Sequence, residues 1–271
     1  MLLLGGSLAR VRRGQERGMD LGLEKKVIIV TGGAQGIGGG ISRVLAQEGA
    51  SVVIADYNGD LAKSYAVELA EATGSDVTAV QFDATSEESV HKLFQTVIAE
   101  RGGVDGLVNN VGGGIAFKSP RDITLEEWNR ANTINMTSMF MASREFIVHC
   151  EDAGKSGRAV NVISKSAVSS GHKKGFDYAT YKAAGIGFTR SISKEVADEG
   201  IVFNGIMPGY VATNKTHYDD PTPENEARRL KLPSKQFTKP EDLGNIVAFL
   251  LSQKSSQIIG ATLDTTGGLL L

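Results

Sequence analysis

Short apolar runs rich in β-branched residues alternate along this chain with longer stretches in which apolar positions recur every three to four residues. The short runs fall at residues 27–30, 51–55, 77–82, 107–109, 159–163, 202–206 and 261–264. The runs at 27–30 and, after Ser51, 52–55 are continuously apolar, as expected of strands buried on both faces. Helical periodicity covers residues 38–48, 60–72, 87–100, 125–150, 177–198 and 241–251. Such alternation predicts an α/β fold, a seven-stranded parallel sheet with helices on both faces. Residues 210–238 break the pattern, carrying Pro221, Pro223 and Pro233 among charges just after a strand end. Ligands of open parallel sheets bind beyond the carboxyl ends of the strands, so this insertion is read as a substrate lid.

Composition narrows the picture. With 271 residues, 41% hydrophobic and only 6 prolines, the chain can bury one sizeable core, and residues 19–271 are read as one domain. Residues 1–18 place Leu2, Leu3 and Leu4 before Arg10, Arg12, Arg13 and Arg17. A secretory signal has its basic residues first and a longer apolar stretch, so the segment is read as a disordered extension. A net charge of −2, from 29 basic and 31 acidic residues, offers no field for nucleic acid. No run reaches the roughly 18 apolar residues that span a bilayer, so no membrane partner is expected. The single cysteine, Cys150, fits a cytoplasmic location and the role of a small buried hydrophobe. His91, His149, His172 and His217 show no paired ligand spacing, so no metal is expected.

The candidate chemistry lies in two places. After the first strand comes Thr31-Gly32-Gly33-Ala34-Gln35-Gly36-Ile37-Gly38, a turn tight enough for backbone to approach a pyrophosphate at a helix N-terminus. Asp56 closes the second strand, where an acid can accept hydrogen bonds from an adenosine ribose. Its carboxylate repels a 2′-phosphate, and neither Gln35 nor Tyr57 supplies a cation to neutralise one, which favours NAD over NADP. The alternative reading makes Asp56 merely the cap of the following helix. The second place is Tyr178-x-x-x-Lys182, with a phenol and an ammonium one helical turn apart. A cation at i+4 is expected to favour the phenolate and so tune an acid/base. Tyr181 lacks such a lysine.

These motifs, with Asn109-Asn110-Val111-Gly112, Asn135, Ser164 and Pro208-Gly209, resemble the short-chain dehydrogenase/reductase family from about Leu21 to Gly268. The resemblance implies a Rossmann-type doubly wound subunit, a homotetramer, and hydride transfer between nicotinamide and a carbinol or carbonyl carbon. It makes Tyr178 the general acid/base, Lys182 the group that lowers the tyrosine pKa and holds the nicotinamide ribose, and Ser164 a holder of the substrate oxygen. Asn135 would anchor a water-mediated proton relay. Gly32, Gln35, Gly36, Ile37, Gly38, Asp56, Tyr57, Asp83, Ala84, Asn110, Gly112, Pro208, Gly209, Val211 and Thr213 would line the cofactor, with Asp83 at adenine and Val211 and Thr213 at the carboxamide.

The chain departs from the family pattern in places. The strand register picks Ser164, yet its separation from Tyr178 is one residue longer than the common interval, and counting back from the tyrosine lands on Lys165. Ser166 is the reserve. Gly39 and Gly40 weaken the first helix, with close packing the only reason on offer. His172, Lys173 and Lys174 read as a solvated charge run, or else as a border of the substrate pocket suited to acidic or hydroxylated substrates. The Leu269-Leu270-Leu271 tail is read as packing on another subunit. The expected function is therefore an NAD-dependent oxidoreductase of a secondary alcohol or ketone, with a sugar, sugar acid or cyclic alcohol as leading substrate class. A 3-oxoacyl-thioester reductase and a non-catalytic NAD sensor are the rivals.

Overall fold

The computed structural model describes residues 19–169 and 175–271. Seven strands form one parallel sheet: β1 (Val27–Thr31), β2 (Ser51–Asp56), β3 (Val77–Gln81), β4 (Gly106–Asn109), β5 (Gly157–Val162), β6 (Ile201–Pro208) and β7 (Thr262–Thr265). Their order is β3-β2-β1-β4-β5-β6-β7. The strand order therefore reverses at β1, which pairs with β2 on one side and β4 on the other, and a crevice opens at that switch point. β1, β2, β4, β5 and β6 are buried along their whole length, including the polar Asn109, Arg158, Asn161 and Asn204, whereas the edge strands β3 and β7 are partly open.

Eight α-helices accompany the sheet: α1 (Gly36–Gln47), α2 (Gly59–Thr73), α3 (Glu87–Arg101), α4 (Leu125–Asn132), α5 (Ser138–Asp152), α6 (Phe176–Val196), α7 (Pro223–Lys231) and α8 (Pro240–Leu251). Successive residues of β1 feed two cores, as the two-residue period of a strand dictates. Ile28 and Val30 pack with Ile41, Leu45, Leu243 and Val247, while Val27 and Ile29 pack with Leu93, Phe94, Phe146 and Phe203. The doubly wound expectation is met. On the first face α1 and α8 approach so closely that a Cβ on Gly40 would run into Pro240, and one on Gly244 would lie 2.7 Å from the Val44 side chain.

Two helical readings need correction. The stretch read as one helix over 125–150 is divided by a π-helical turn, Thr133–Thr137, between α4 and α5. The side chain of Asn135 in that turn bonds outside its own helix, a demand that hydrophobic periodicity does not record. The second correction is α7, inside the insertion. Its sequence Pro-Glu-Asn-Glu-Ala-Arg-Arg-Leu-Lys buries only Asn225 and so has no apolar stripe to announce it. Its start was nonetheless written in the chain, since Thr222 caps the helix and Pro223 takes the first turn. Among the described residues no helix is long and apolar enough to cross a membrane.

Candidate active site

The turn after β1 is held from both flanks. Gly32 and Gly36 take positive φ of 61° and 56°, open to glycine without strain. A Cβ on Gly38 would collide with the Gly32 carbonyl and stand 2.6 Å from Asn110 Nδ2. That amide nitrogen donates to the carbonyls of Thr31 and Gly32, both at 3.0 Å, so Asn110 staples the β4 loop to the turn. On the other flank, Asp56 accepts from the Ala34 N–H at 3.2 Å through Oδ2 and from the Asn58 N–H at 3.1 Å through Oδ1. The cap of α2 is Asn58, which accepts from Leu61 N–H, so the alternative reading of Asp56 as helix cap falls.

Gln35 precedes α1 without capping it by side chain, and Ile37 packs against the core. The first-turn N–H groups of α1 thus have no side-chain cap, beside a cradle that a single methyl would fill. Both features suit a dinucleotide diphosphate. Tyr57 is 74% exposed. Asp83 Oδ1 accepts from the Thr85 N–H at 2.8 Å and its hydroxyl at 2.7 Å, while Ala84 is buried beside Thr31, Asn109 and Val111.

The second cluster gathers around Gly112. A Cβ there would lie 2.8 Å from both Asn135 Oδ1 and Lys182 Nζ. Asn135 is fully buried; it donates to the Ala131 carbonyl at 3.0 Å and the Gly113 carbonyl at 2.9 Å, and accepts from Gly113 N–H at 2.9 Å. Lys182, 3% exposed, donates to the Val162 carbonyl at 2.8 Å, and its Nζ lies 5.7 Å from the centroid of the Tyr178 ring. Ser164 leaves β5 in extended conformation, caps a short 3₁₀ turn by accepting from Ser166 N–H at 3.2 Å, and lies near enough to Tyr178 to lower its phenol pKa. Of Ser164, Lys165 and Ser166, Ser164 is the one whose side chain lowers the pKa of the phenol. Tyr181 is spent elsewhere, since its hydroxyl donates to the Trp128 carbonyl at 3.2 Å and burial pushes its pKa up to about 12.

The electrostatics correct the expectation for the pair. Burial raises the Tyr178 phenol above the ordinary tyrosine range, and the group that pulls it back is the Ser164 hydroxyl. Lys182 sits over the ring while its ammonium bonds the Val162 carbonyl, and burial lowers its own pKa to about 8. An i+4 spacing puts two side chains on one face; it does not decide whether the cation meets the hydroxyl or the ring.

The third part comes from the end of β6. Pro208 closes that strand, Gly209 follows, and the two ends of the insertion are joined by bonds from Thr238 N–H to the Tyr210 carbonyl at 3.0 Å and from Ala212 N–H to the Thr238 carbonyl at 2.9 Å. Val211 is buried in the core, so its side chain is not offered to a ligand, whereas the Thr213 methyl is the nearest atom, at 3.9 Å, to a Cβ built on Gly36. Tyr210, Tyr218 and Phe237 stack into one aromatic cluster, and Lys165 Nζ lies 5.0 Å from the Tyr210 ring centroid. Sequence reasoning did not single out Gly113, Tyr210 or Lys165 as site residues. The signal for Lys165, a cation immediately after Ser164, was in plain view.

Other candidates separate cleanly. His149 is buried and accepts the Val104 N–H at 2.9 Å, with burial lowering its pKa. Cys150 is buried, its thiol pushed up to about 11, which leaves it an inert hydrophobe. His91 bonds Glu145 at 2.8 Å. His172, Lys173 and Lys174 lie outside the described residues.

Comparison with known proteins agrees with this geometry. A family model described as enoyl-(acyl carrier protein) reductase matches residues 32–270. The 3-oxoacyl-(acyl-carrier-protein) reductase FabG of Aquifex aeolicus is 32% identical over 256 residues, spanning 93% of this chain and 100% of its own length. The solved structure of a 7α-hydroxysteroid dehydrogenase complexed with NADH and 7-oxo glycochenodeoxycholic acid superposes with a TM-score of 0.84 at 33% identity, covering 92% of this chain and 96% of that one. L-sorbose reductase from Gluconobacter frateurii, complexed with NADPH and L-sorbose, gives a TM-score of 0.85 at 27% identity, covering 93% and 99%.

Proposed function

The chain belongs to the short-chain dehydrogenase/reductase family, and from that premise we propose that it interconverts a secondary alcohol and its ketone with NAD as preferred cofactor. A sugar, sugar acid or cyclic alcohol is the substrate class. The observation that carries this reading is that Asn135 and Lys182 meet at the Gly112 loop, with the Tyr178 ring 5.7 Å from the lysine Nζ and Ser164 acting on the phenol.

Asp56 would accept hydrogen bonds from the adenosine ribose, the N-terminus of α1 would hold the diphosphate, and Lys182 would hold the nicotinamide ribose. Bound there, the dinucleotide supplies the acceptor or donor of hydride. Everything else falls to the chain's own side chains. Tyr178 exchanges a proton with the substrate oxygen, a step in which a positioned acid/base contributes about 10²–10⁴-fold. Ser164 holds the same oxygen and offsets the burial that opposes phenolate formation. Asn135, fixed by Gly113 and Ala131, sets the Gly112 loop against the lysine ammonium. An NAD sensor needs none of these groups. The insertion at 210–238, clamped at both ends, is the lid of this site.

Preference for NAD is supported by Asp56, whose two oxygens are each held by a backbone N–H. A 3-oxoacyl-thioester reductase is the second reading, favoured by the match to FabG along almost the whole chain. We further infer a homotetramer, for which the exposed Phe140 and Val148 of α5 offer apolar surface.

Initial rates with NAD(H) and NADP(H) against polyols, sugar acids, cyclic alcohols, hydroxysteroids and 3-oxoacyl thioesters test the reading. Tyr178→Phe is expected to lose about 10²–10⁴-fold in kcat/KM. Undiminished turnover in that variant would remove the mechanism, tighter binding of NADPH than NADH would reverse the reading of Asp56, and exclusive use of acyl thioesters would select the second reading.

A further inference from the structure

Among the described residues, Lys165 is a cation without a carboxylate partner. It follows Ser164 directly in the 3₁₀ turn at the end of β5, and its side chain is partly buried. None of the ion pairs among the described residues includes it. Burial lowers its pKa, and no neighbouring acid raises it. Its one evident partner is the face of Tyr210, 5.0 Å from Nζ to the ring centroid. A ring quadrupole is a weaker partner for an ammonium than a carboxylate is, so the charge is held at a place where its hydration is reduced and its compensation incomplete.

Position gives this arrangement a purpose. β5 and β6 are hydrogen-bonded neighbours, so the loops that leave their carboxyl ends start side by side. The Lys165–Tyr210 contact joins the serine turn of the one to the root of the insertion on the other. Tyr210 is itself braced by Tyr218 and Phe237, the former in edge-to-face contact and the latter near perpendicular. The ammonium therefore stands against an aromatic wall, one residue along the chain from the serine that acts on the Tyr178 phenol. The other cation of that wall, Arg228, is already paired with Glu224 at 2.5 Å and bonds Asn225 at 3.0 Å. Among the described residues this leaves Lys165 as the group free to meet an anion there.

We propose that Lys165 binds a carboxylate carried by the substrate, so that this enzyme acts on hydroxy acids and their oxo acids in preference to neutral alcohols. The inference rests on the Tyr178-centred reading and names its substrate class. Among the described residues Lys165 is a single ammonium without a second free cation beside it, which matches a singly charged carboxylate better than a phosphate monoester.

The test is a matched panel of hydroxy acids and their methyl esters, assayed with NAD and with sugar phosphates as a separate arm. Wild type, Lys165→Met and Lys165→Arg are compared. The quantity read is the acid-to-ester ratio of kcat/KM, in which any loss of folded protein cancels. Wild type should prefer the acids; Lys165→Met should lower the ratio about 10- to 100-fold, chiefly through the KM for acids, and Lys165→Arg should restore most of it. An unchanged ratio in Lys165→Met overturns the proposal, as does a wild-type enzyme that turns over neutral alcohols but no acid, or sugar phosphates better than acids. Those results leave Tyr178 untouched. Failure of every alcohol and acid to react would instead take down the reaction class, and this inference with it.

Discussion

The turn after β1 and the turn after β5 both leave the carboxyl end of the same parallel sheet, yet they are specified by opposite means. At β1 the site is made by side chains that are missing. Gly38 leaves room for the Gly32 carbonyl and the Asn110 amide, and the surrounding hydrogen bonds are ordinary backbone and amide contacts. At β5 and α6 the site is made by side chains that are present and dried: Lys182 is buried against a carbonyl, Tyr178 is raised by burial, and Lys165 stands unpaired among the described residues. A cradle defined by space is sensitive to volume and indifferent to pH. A cluster defined by dehydration is sensitive to protonation and less so to a methyl group.

The largest effect expected of that contrast is a pH slope. Burial holds the folded-state pKa of Lys182 at about 8, below the ordinary lysine value of 10.5. Between those values the unfolded chain binds the extra proton, so stability rises with pH across the window and is lost as pH falls toward 8. The full difference is about 3 kcal/mol. Urea unfolding of wild type and Lys182→Met from pH 7 to 10.5 should show wild type gaining on the variant as pH rises. A difference that stays flat would mean that the ammonium is well solvated, and the contrast between the two turns would lose its basis.

On the other side of the comparison stands Gly38→Ala, expected to cost about 1–3 kcal/mol by overpacking and to weaken dinucleotide binding, with no dependence on pH. Gly40→Ala should cost a similar amount through the α1–α8 contact while leaving the cradle intact. Unfolding midpoints together with NADH titrations separate the two, because Gly38→Ala should move both and Gly40→Ala mainly the first.

The same contrast explains what could be read from the amino-acid sequence. Short runs rich in β-branched residues announced the strands, and the glycine turn with Asp56 announced the cradle, because both are written as residue types at fixed spacing. The π turn at Asn135 was hidden because its cause is a set of bonds to Gly113 across a loop. Helix α7 was hidden because it buries almost nothing. The pairing of Tyr178 and Lys182 was legible as proximity, but burial and the carbonyl of Val162, which set the sign of the pKa shifts, come only from the assembled sheet.

Gly39 and Gly40 are indistinguishable as letters, and the smallest prediction depends on telling them apart. Both sit in the first turns of α1, where glycine weakens a helix. A Cβ on Gly40 meets Pro240, but one on Gly39 would find its nearest neighbours at 3.6 Å, the Ala34 carbonyl carbon and Tyr65 Cε1. That is ordinary contact, and the Tyr65 hydroxyl that donates to the Gly39 carbonyl at 2.8 Å is reached from the backbone. Gly39→Ala is therefore expected to stabilise the protein by about 0.5–1 kcal/mol, since it removes unfolded-state freedom without filling occupied space. Urea denaturation at matched m-values measures it. A loss of stability there would show that the space-defined half of the site extends one residue further along α1 than the Cβ distances allow.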